Sequence, residues 1–464
     1  MNKRAITLLC WALIIGGCVK SRSGDAGMQP RDTASAENTV SNMVSTNGNY
    51  NIYIDNSGSM DGYIFPGSGF ENGVFDIVTR LSGNNIADNV SLNFVSDRVC
   101  SMYPKATAQD IRQFVYHLDE EKAQSKQRCQ SKESDIPNVI DTVIRQSTED
   151  VGVLVSDCIL SLDHRSGALL NQQKDMTMDL LAAELRRQDF STLIFKFSAP
   201  FGGVYYSEAK QGAGIPLGAD KIQRPYYVLI FGKPAKIKAL LGKLDFTQVS
   251  GFEAAYYLLV PQAVSPEAVV IRENKIGNFR IEQPASKLIL DNAQADAGVL
   301  QFSVAVNLTP VRMDEAYLLN PANYELPPNY SITAITGNKN PADPSLSGFS
   351  HIFTIKTTTL AQNQDVTIRL KNQVPAWVAA SSGEDDSNPR DTTQQRLTFG
   401  LSYLVNGINE AYNAVYKDKN LFVIDVKVSK DNYGSGAGST GFPWWIVAVL
   451  LVLVGGIVIL RRKK

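Results

Sequence analysis

Histidine is nearly absent from this chain. Only three occur in 464 residues, at 117, 164 and 351, and none stands at a spacing that pairs it with a second metal ligand. A zinc motif, a phosphate-cradling glycine loop and the G-x-S-x-G nucleophile elbow are likewise missing. Metal-dependent hydrolysis generally needs several carboxylates or histidines to hold ions and a base, so these absences argue against an enzyme, and no catalytic residue is assigned. An excess of one charge is lacking too. Lysine and arginine number 45 against 46 acidic residues, a formal net charge of −1, which gives no electrostatic case for nucleic acid. No feature calls for a small-molecule substrate. Cysteine is scarce, with five residues at 10, 18, 100, 129 and 158.

What is present begins at the two ends. In "MNKRAITLLCWALIIGGC", Lys3 and Arg4 precede an apolar run over 5–15, then Gly16 and Gly17. A basic start, a short apolar stretch and small residues make an export signal over 1–18. Residues 15–18 also resemble the bacterial lipoprotein box, which would make Cys18 a lipidated N-terminus; an ordinary signal peptide is the other reading. Residues 19–48 carry few large apolar side chains and read as a flexible linker. At the other end, residues 441–460 form a mostly apolar, uncharged run, about 30 Å long as a helix and able to cross a bilayer. Trp444 and Trp445 suit an interface, and the basic tail 461–464 suits the cytoplasmic side. These ends predict a single-pass protein of a bacterial membrane, with residues 19–440 on the periplasmic side and a Gly/Ser stalk over 431–440. Outside the cytoplasm a disulfide is permitted, and Cys100 with Cys129 is the expected pair because both stand in polar segments read as connections. Cys158 follows an apolar strand and reads as a packed thiol.

Between 49 and 246, strand-like runs such as "YNIYI", "VSLNF", "VGVLV", "STLIFKF" and "YYVLIF" alternate with amphipathic helical patterns. This predicts an α/β domain, doubly wound around a mostly parallel sheet covered on both faces. From 250 to 430, many short strands lie between Pro, Asn, Asp and Gly clusters, and helical spacing is almost confined to "GINEAYNAVY". That half predicts a β-rich, sandwich-like region, followed by the C-terminal transmembrane helix.

The candidate site is in "NIYIDNSGSMDGY". In a parallel sheet, ligands bind at the carboxyl ends of strands. Asp55 ends one strand and Asp157 another, and two carboxylates buried there call for a cation. Ser57 and Ser59 add hydroxyls from the same turn. These are hard oxygen donors, suited to Mg²⁺ or Mn²⁺ rather than zinc or copper. Asp55-Asn56-Ser57-Gly58-Ser59 resembles the D-x-S-x-S signature of the von Willebrand factor A domain. Ser134 in "SDIPNVI" stands in the place of that family's threonine, and Asp157 in "LVSDC" in the place of its later aspartate. Two departures are a serine in place of threonine and the absence of a glycine after Asp157.

The resemblance spans about 49–246. It implies a metal-ion-dependent adhesion site held by Asp55, Ser57, Ser59, Ser134 and Asp157, with one open coordination position filled by an acidic residue of a protein partner. Without Ser134 and Asp157, an Asx-type turn would explain the first five residues as well. Loops 61–70, 159–170 and 198–224 are expected to share this edge. Their Tyr63, Phe65, Phe201, Tyr205 and Tyr206 are either interface anchors or local core. Two other classes stay open: a phosphatase-like hydrolase using the same Asp/Ser cluster, and a metal-free scaffold whose sandwich half does the binding.

Overall fold

Apolar residues in the first half change period, from two in the strands to three or four in the helices, and the layers follow from that change. A computed structural model describes residues 48–430, except 84–85, 130–134, 163–168, 261–265, 285–286, 312, 314, 340–342 and 417–419. The export signal with Cys18, the linker through residue 47, the stalk, the expected spanning segment and the basic tail lie outside the described residues.

In chain order the first half contains β1 (Gly48–Asp55), α1 (Gly69–Gly83), β2 (Ala87–Val95), β3 (Val99–Tyr103), α2 (Ala108–Tyr116), α3 (Leu118–Cys129) and α4 (Ile136–Gln146). There follow β4 (Val151–Ser156), α5 (Leu170–Arg187), β5 (Ser191–Ser207), β6 (Ala213–Gly232), α6 (Pro234–Lys243) and β7 (Phe252–Leu258). The seven strands make one sheet in the order β3-β2-β1-β4-β6-β5-β7. Ile52, Ile54, Val153, Val155, Val228 and Ile230 point to the face covered by α1, α2 and α6. Their neighbours Tyr53, Leu154, Tyr227 and Leu229 point to the opposite face, under α4 and α5.

The sheet is not doubly wound and mostly parallel, as the sequence suggested. Only β1 pairs in parallel, with β2 and with β4. The pairings β2–β3, β4–β6, β5–β6 and β5–β7 are all antiparallel. A strand buried on both faces is a continuous apolar run whichever way it points, so direction is decided by the connection. The connection at 198–224, read as a loop, is ladder: Ala199 pairs with Arg224, Tyr205 with Ile215 and Ser207 with Ala213. Strands β5 and β6 are therefore the two arms of one long hairpin. Among the described residues no helix is long and apolar enough to cross a membrane.

The second half contains β8 (Ala268–Ile276), β9 (Asn278–Glu282), β10 (Leu288–Gln294), β11 (Leu300–Val306), α7 (Glu315–Leu318), β12 (Tyr324–Glu325), β13 (Tyr330–Gly337), β14 (His351–Thr357) and β15 (Gln364–Lys371). It ends with α8 (Ala376–Ala380), the short β16 (Ser382–Gly383) and β17 (Thr398–Phe399), α9 (Leu401–Val415) and β18 (Asn420–Lys430). Two sheets, β12-β15-β18-β10-β9 and β13-β14-β11-β8, face each other over Phe302, Val304, Phe353, Ile355, Ile368 and Val426. This is a sandwich, built from alternating strands.

Packing does not divide near 246–250. Strand β7 is the edge of the first sheet, and α9 covers that sheet's second face, where Leu404, Ile408 and Tyr412 join Leu181, Leu185 and Leu229. The Tyr412 hydroxyl donates to Phe190 O at 2.9 Å and lies 2.8 Å from Thr192 Oγ1. The chain then returns to the sandwich as β18, between β15 and β10. Each layer is thus completed by an element that follows the other in sequence.

Candidate functional site

Strands β1 and β4 are parallel neighbours, with Ile54 opposite Val155, so Asp55 and Asp157 leave the same edge of the sheet. After Asp55 the chain folds into a single 3-10 turn over Gly58–Gly62. Asp55 fixes the entry to that turn: its Oδ1 accepts the Ser57 N–H at 2.8 Å, and its Oδ2 accepts the Ser156 hydroxyl at 2.8 Å. The Ser57 and Ser59 hydroxyl oxygens are 2.9 Å apart. The structure therefore brings together four of the five expected ligands. Ser134 lies outside the described residues, as do Asp163 and His164 of the stretch 159–170 expected to share this edge.

Asp157 is the least satisfied member. It is buried, and its Oδ1 accepts the Ile159 N–H at 3.2 Å. Among the described residues no donor hydrogen-bonds its buried Oδ2. Burial first, and then the like charge of Asp55, raise its pKa from 3.8 to about 6; Ser59, the Ile159 amide and Arg224 pull the other way. A rise of that size corresponds to roughly 3 kcal/mol against the ionised form. Cys158 turns the chain away with a left-handed φ of 54°, a conformation that costs on the order of 1 kcal/mol for a side-chain-bearing residue. Its thiol is buried and shifted well above its ordinary pKa, by burial and then by Asp157 and Asp55.

The hairpin overhangs this edge. Strand β6 pairs Tyr227 with Ser156 on one side and with Lys196 on the other, and β5 then continues past the site to Ser207. Tyr63, Phe201 and Tyr205 are core residues rather than exposed anchors, each about 1% exposed. The turn and the hairpin press together, and these rings fill the gap: Tyr63 meets Phe201 edge-on at 4.8 Å, and Phe201 meets Tyr205 at 6.1 Å. A Cβ on Gly62 would collide with the Phe201 ring. Phe65 is half-buried beneath Lys221, whose Nζ lies 3.7 Å from the ring centroid. Tyr206, at 39% exposed, is the one of the five that faces solvent, and its ring lies beside Gly58.

Three charged residues of this edge carried no sequence signal. Arg224 is buried, donates to Leu397 O at 3.1 Å and lies over the Tyr205 ring at 4.4 Å. Burial would lower its pKa, but Tyr205, Tyr63 and Asp157 together hold it raised. Asp386 is a latch on the hairpin, accepting from Tyr205 OH at 2.7 Å, Ser207 Oγ at 2.9 Å and the N–H groups of Glu208 and Ala209 at 3.0 and 2.8 Å. Lys122, on α3, is buried with its Nζ 2.6 Å from Ser57 O and 2.6 Å from Asp61 Oδ1. Buried lysine and arginine resemble any solvated helix or hairpin face in sequence, and only the fold reveals them.

Cys100 and Cys129 are joined by a disulfide. Neither stands in a connection: Cys100 belongs to β3 and Cys129 ends α3, a helix whose polar composition disguised it. Among the described residues no group of three or more His, Cys, Asp or Glu side chains could hold a metal; the edge instead offers two carboxylates and two hydroxyls. The chain matches no family model, no curated protein and no solved structure at the significance required.

Proposed function

We propose that this chain is an exported bacterial binding protein whose sheet edge holds a hard divalent cation, Mg²⁺ or Mn²⁺, and captures an acidic side chain of a protein partner. Asp55, Ser57, Ser59 and Asp157 would hold the ion, with Ser134 as a further oxygen donor. The observation that carries this reading is Asp157 Oδ2, a buried carboxylate oxygen with no hydrogen bond among the described residues. An unpaired buried charge costs several kcal/mol, and a cation at this oxygen would reverse that cost. Since two ligands are neutral hydroxyls, the bound ion would keep positive charge to attract a partner's carboxylate.

The two buried cations of this edge direct their hydrogen bonds to other groups. Lys122 is committed to Asp61 and to the Ser57 carbonyl, and Arg224 donates to Leu397 O and to Tyr205 OH. Neither hydrogen-bonds Oδ2. The disulfide supports an oxidising compartment.

The test is isothermal titration of the full chain with Mg²⁺, comparing wild type with Asp55→Ala and Asp157→Ala at matched circular dichroism. The expected result is binding heat in wild type alone, with partner capture abolished by EDTA. Identical heats in all three proteins would sink the reading.

A further inference from the structure

Helix α3 has little apolar reason to lie where it does. Its buried residues are Leu118, Glu121, Lys122 and Ser125, of which only the first is apolar. Polar contacts and one covalent bond hold it instead. Ser125 Oγ donates to Lys122 O at 2.8 Å and accepts from Asn56 Nδ2 at 3.1 Å. Tyr103 OH donates to Glu121 Oε1 at 2.8 Å. The Cys100–Cys129 disulfide fastens the helix's last residue to β3. These contacts lay the Lys122 ammonium, its side chain 4% exposed, against the turn that follows Asp55.

We infer that Lys122 is a positioning residue of the cation site, and that the Cys100–Cys129 disulfide is the tether that holds it there, so that cation binding depends on the disulfide. The inference rests on the metal reading above. Desolvating an ammonium costs several kcal/mol, and a surface lysine could pair with Asp61 without that cost; Lys126 does so at 3.5 Å. What burial adds is a charge-assisted bond to Ser57 O, among the stronger hydrogen bonds a protein makes. That carbonyl belongs to the residue whose hydroxyl is a proposed ligand, so holding it fixes the backbone that aims Ser57 and Ser59.

Two electrostatic effects oppose each other. The Lys122 charge would repel a cation, but Asp61, 2.6 Å from the ammonium, opposes that repulsion. Positioning therefore prevails. Groups that orient metal ligands commonly change affinity by about 10- to 100-fold.

The test uses the full chain. Lys122→Met with Asp61→Asn replaces the ion pair by neutral groups and isolates the loss of the donor; Lys122→Arg keeps a donor. Cys100→Ser with Cys129→Ser removes the tether. Dithiothreitol does the same to folded wild type, yielding two thiols as it is oxidised to its own cyclic disulfide, and serves where the double serine variant fails to fold. The expected result is Mg²⁺ affinity at least about tenfold weaker in the neutral pair and on loss of the disulfide, with Lys122→Arg close to wild type.

Hydrogen exchange in EDTA reads the turn without metal, at the amides of Met60, Tyr63 and Ile64, which close it onto Ser57, Met60 and Asp61. These amides should exchange faster in the neutral pair and after loss of the disulfide, but not in Lys122→Arg. Wild type that binds no Mg²⁺ while exchange changes in this way overturns the cation reading alone. Unmoved exchange and unmoved affinity in folded variants overturn the inference.

Discussion

The edge of the seven-stranded sheet where β1 and β4 end and the interior of the sandwich are both buried, and they are filled with opposite chemistry. The sandwich interior is a continuous apolar cluster around Phe302, Phe353, Ile355 and Val426. Among the described residues its buried polar side chains, Ser303, His351, Thr354 and Thr357, include no acid. The sheet edge buries Asp55, Glu121, Lys122, Asp157, Arg224 and Asp386 within one neighbourhood. Interiors that serve only stability follow the apolar pattern, and departures from it concentrate where a protein does chemistry or binds. The contrast is what favours a stabilising role for the sandwich and the proposed binding role for the sheet edge.

The sharpest way to break that contrast is to damage the sandwich. Phe353 is fully buried and meets Tyr324 edge-on at 5.2 Å. Phe353→Ala should cost about 3–5 kcal/mol in urea denaturation, the range for deleting a buried ring, while Mg²⁺ affinity of the folded protein stays unchanged. A large loss of affinity in the folded variant would mean that the two regions are not separable in function.

At the sheet edge the corresponding change should act in the other direction. Asp157→Asn removes a buried charge whose Oδ2 has no donor among the described residues. Measured in EDTA near neutral pH, it should stabilise the protein by on the order of 1–3 kcal/mol while removing the response to Mg²⁺. Sites that bind are often built at a cost to stability. Destabilisation in EDTA would instead show that the carboxylate is satisfied within the fold, and the case for a cation would weaken with it.

The same contrast explains what was legible in the sequence. Strands β1 and β4 and their terminal aspartates could be read, because an apolar run ending in acid and serine is a local pattern. The sandwich could be read from alternation between turn residues. Strand direction could not, since "STLIFKF" and "YYVLIF" look alike in parallel and antiparallel sheets, and the ladder that joins them carries two adjacent glycines and polar residues in place of a clean alternation. The placement of α9 on the first sheet was hidden because Leu404 and Ile408 announce an apolar face without naming its partner. Lys122 and Asp386 were invisible for a related reason: a buried charge is defined by what surrounds it, and those surroundings come from distant parts of the chain.

The smallest expected change in stability is at Tyr206, and it tests whether the edge is a surface as well as an ion site. The ring lies over Gly214 of the paired strand and beside Gly58, 3.5 and 3.6 Å from where a Cβ would stand on each. It is 39% exposed, as is Val204 on the same side of the hairpin. Tyr206→Ala should therefore change stability by no more than about 0.5 kcal/mol and leave Mg²⁺ titration as in wild type. Partner capture should nonetheless weaken by about tenfold, as for an aromatic contact at an interface. Capture equal to wild type in the presence of Mg²⁺ would confine the binding surface to the cation and its ligands, and the overhanging hairpin would then be a wall of the site rather than a contact.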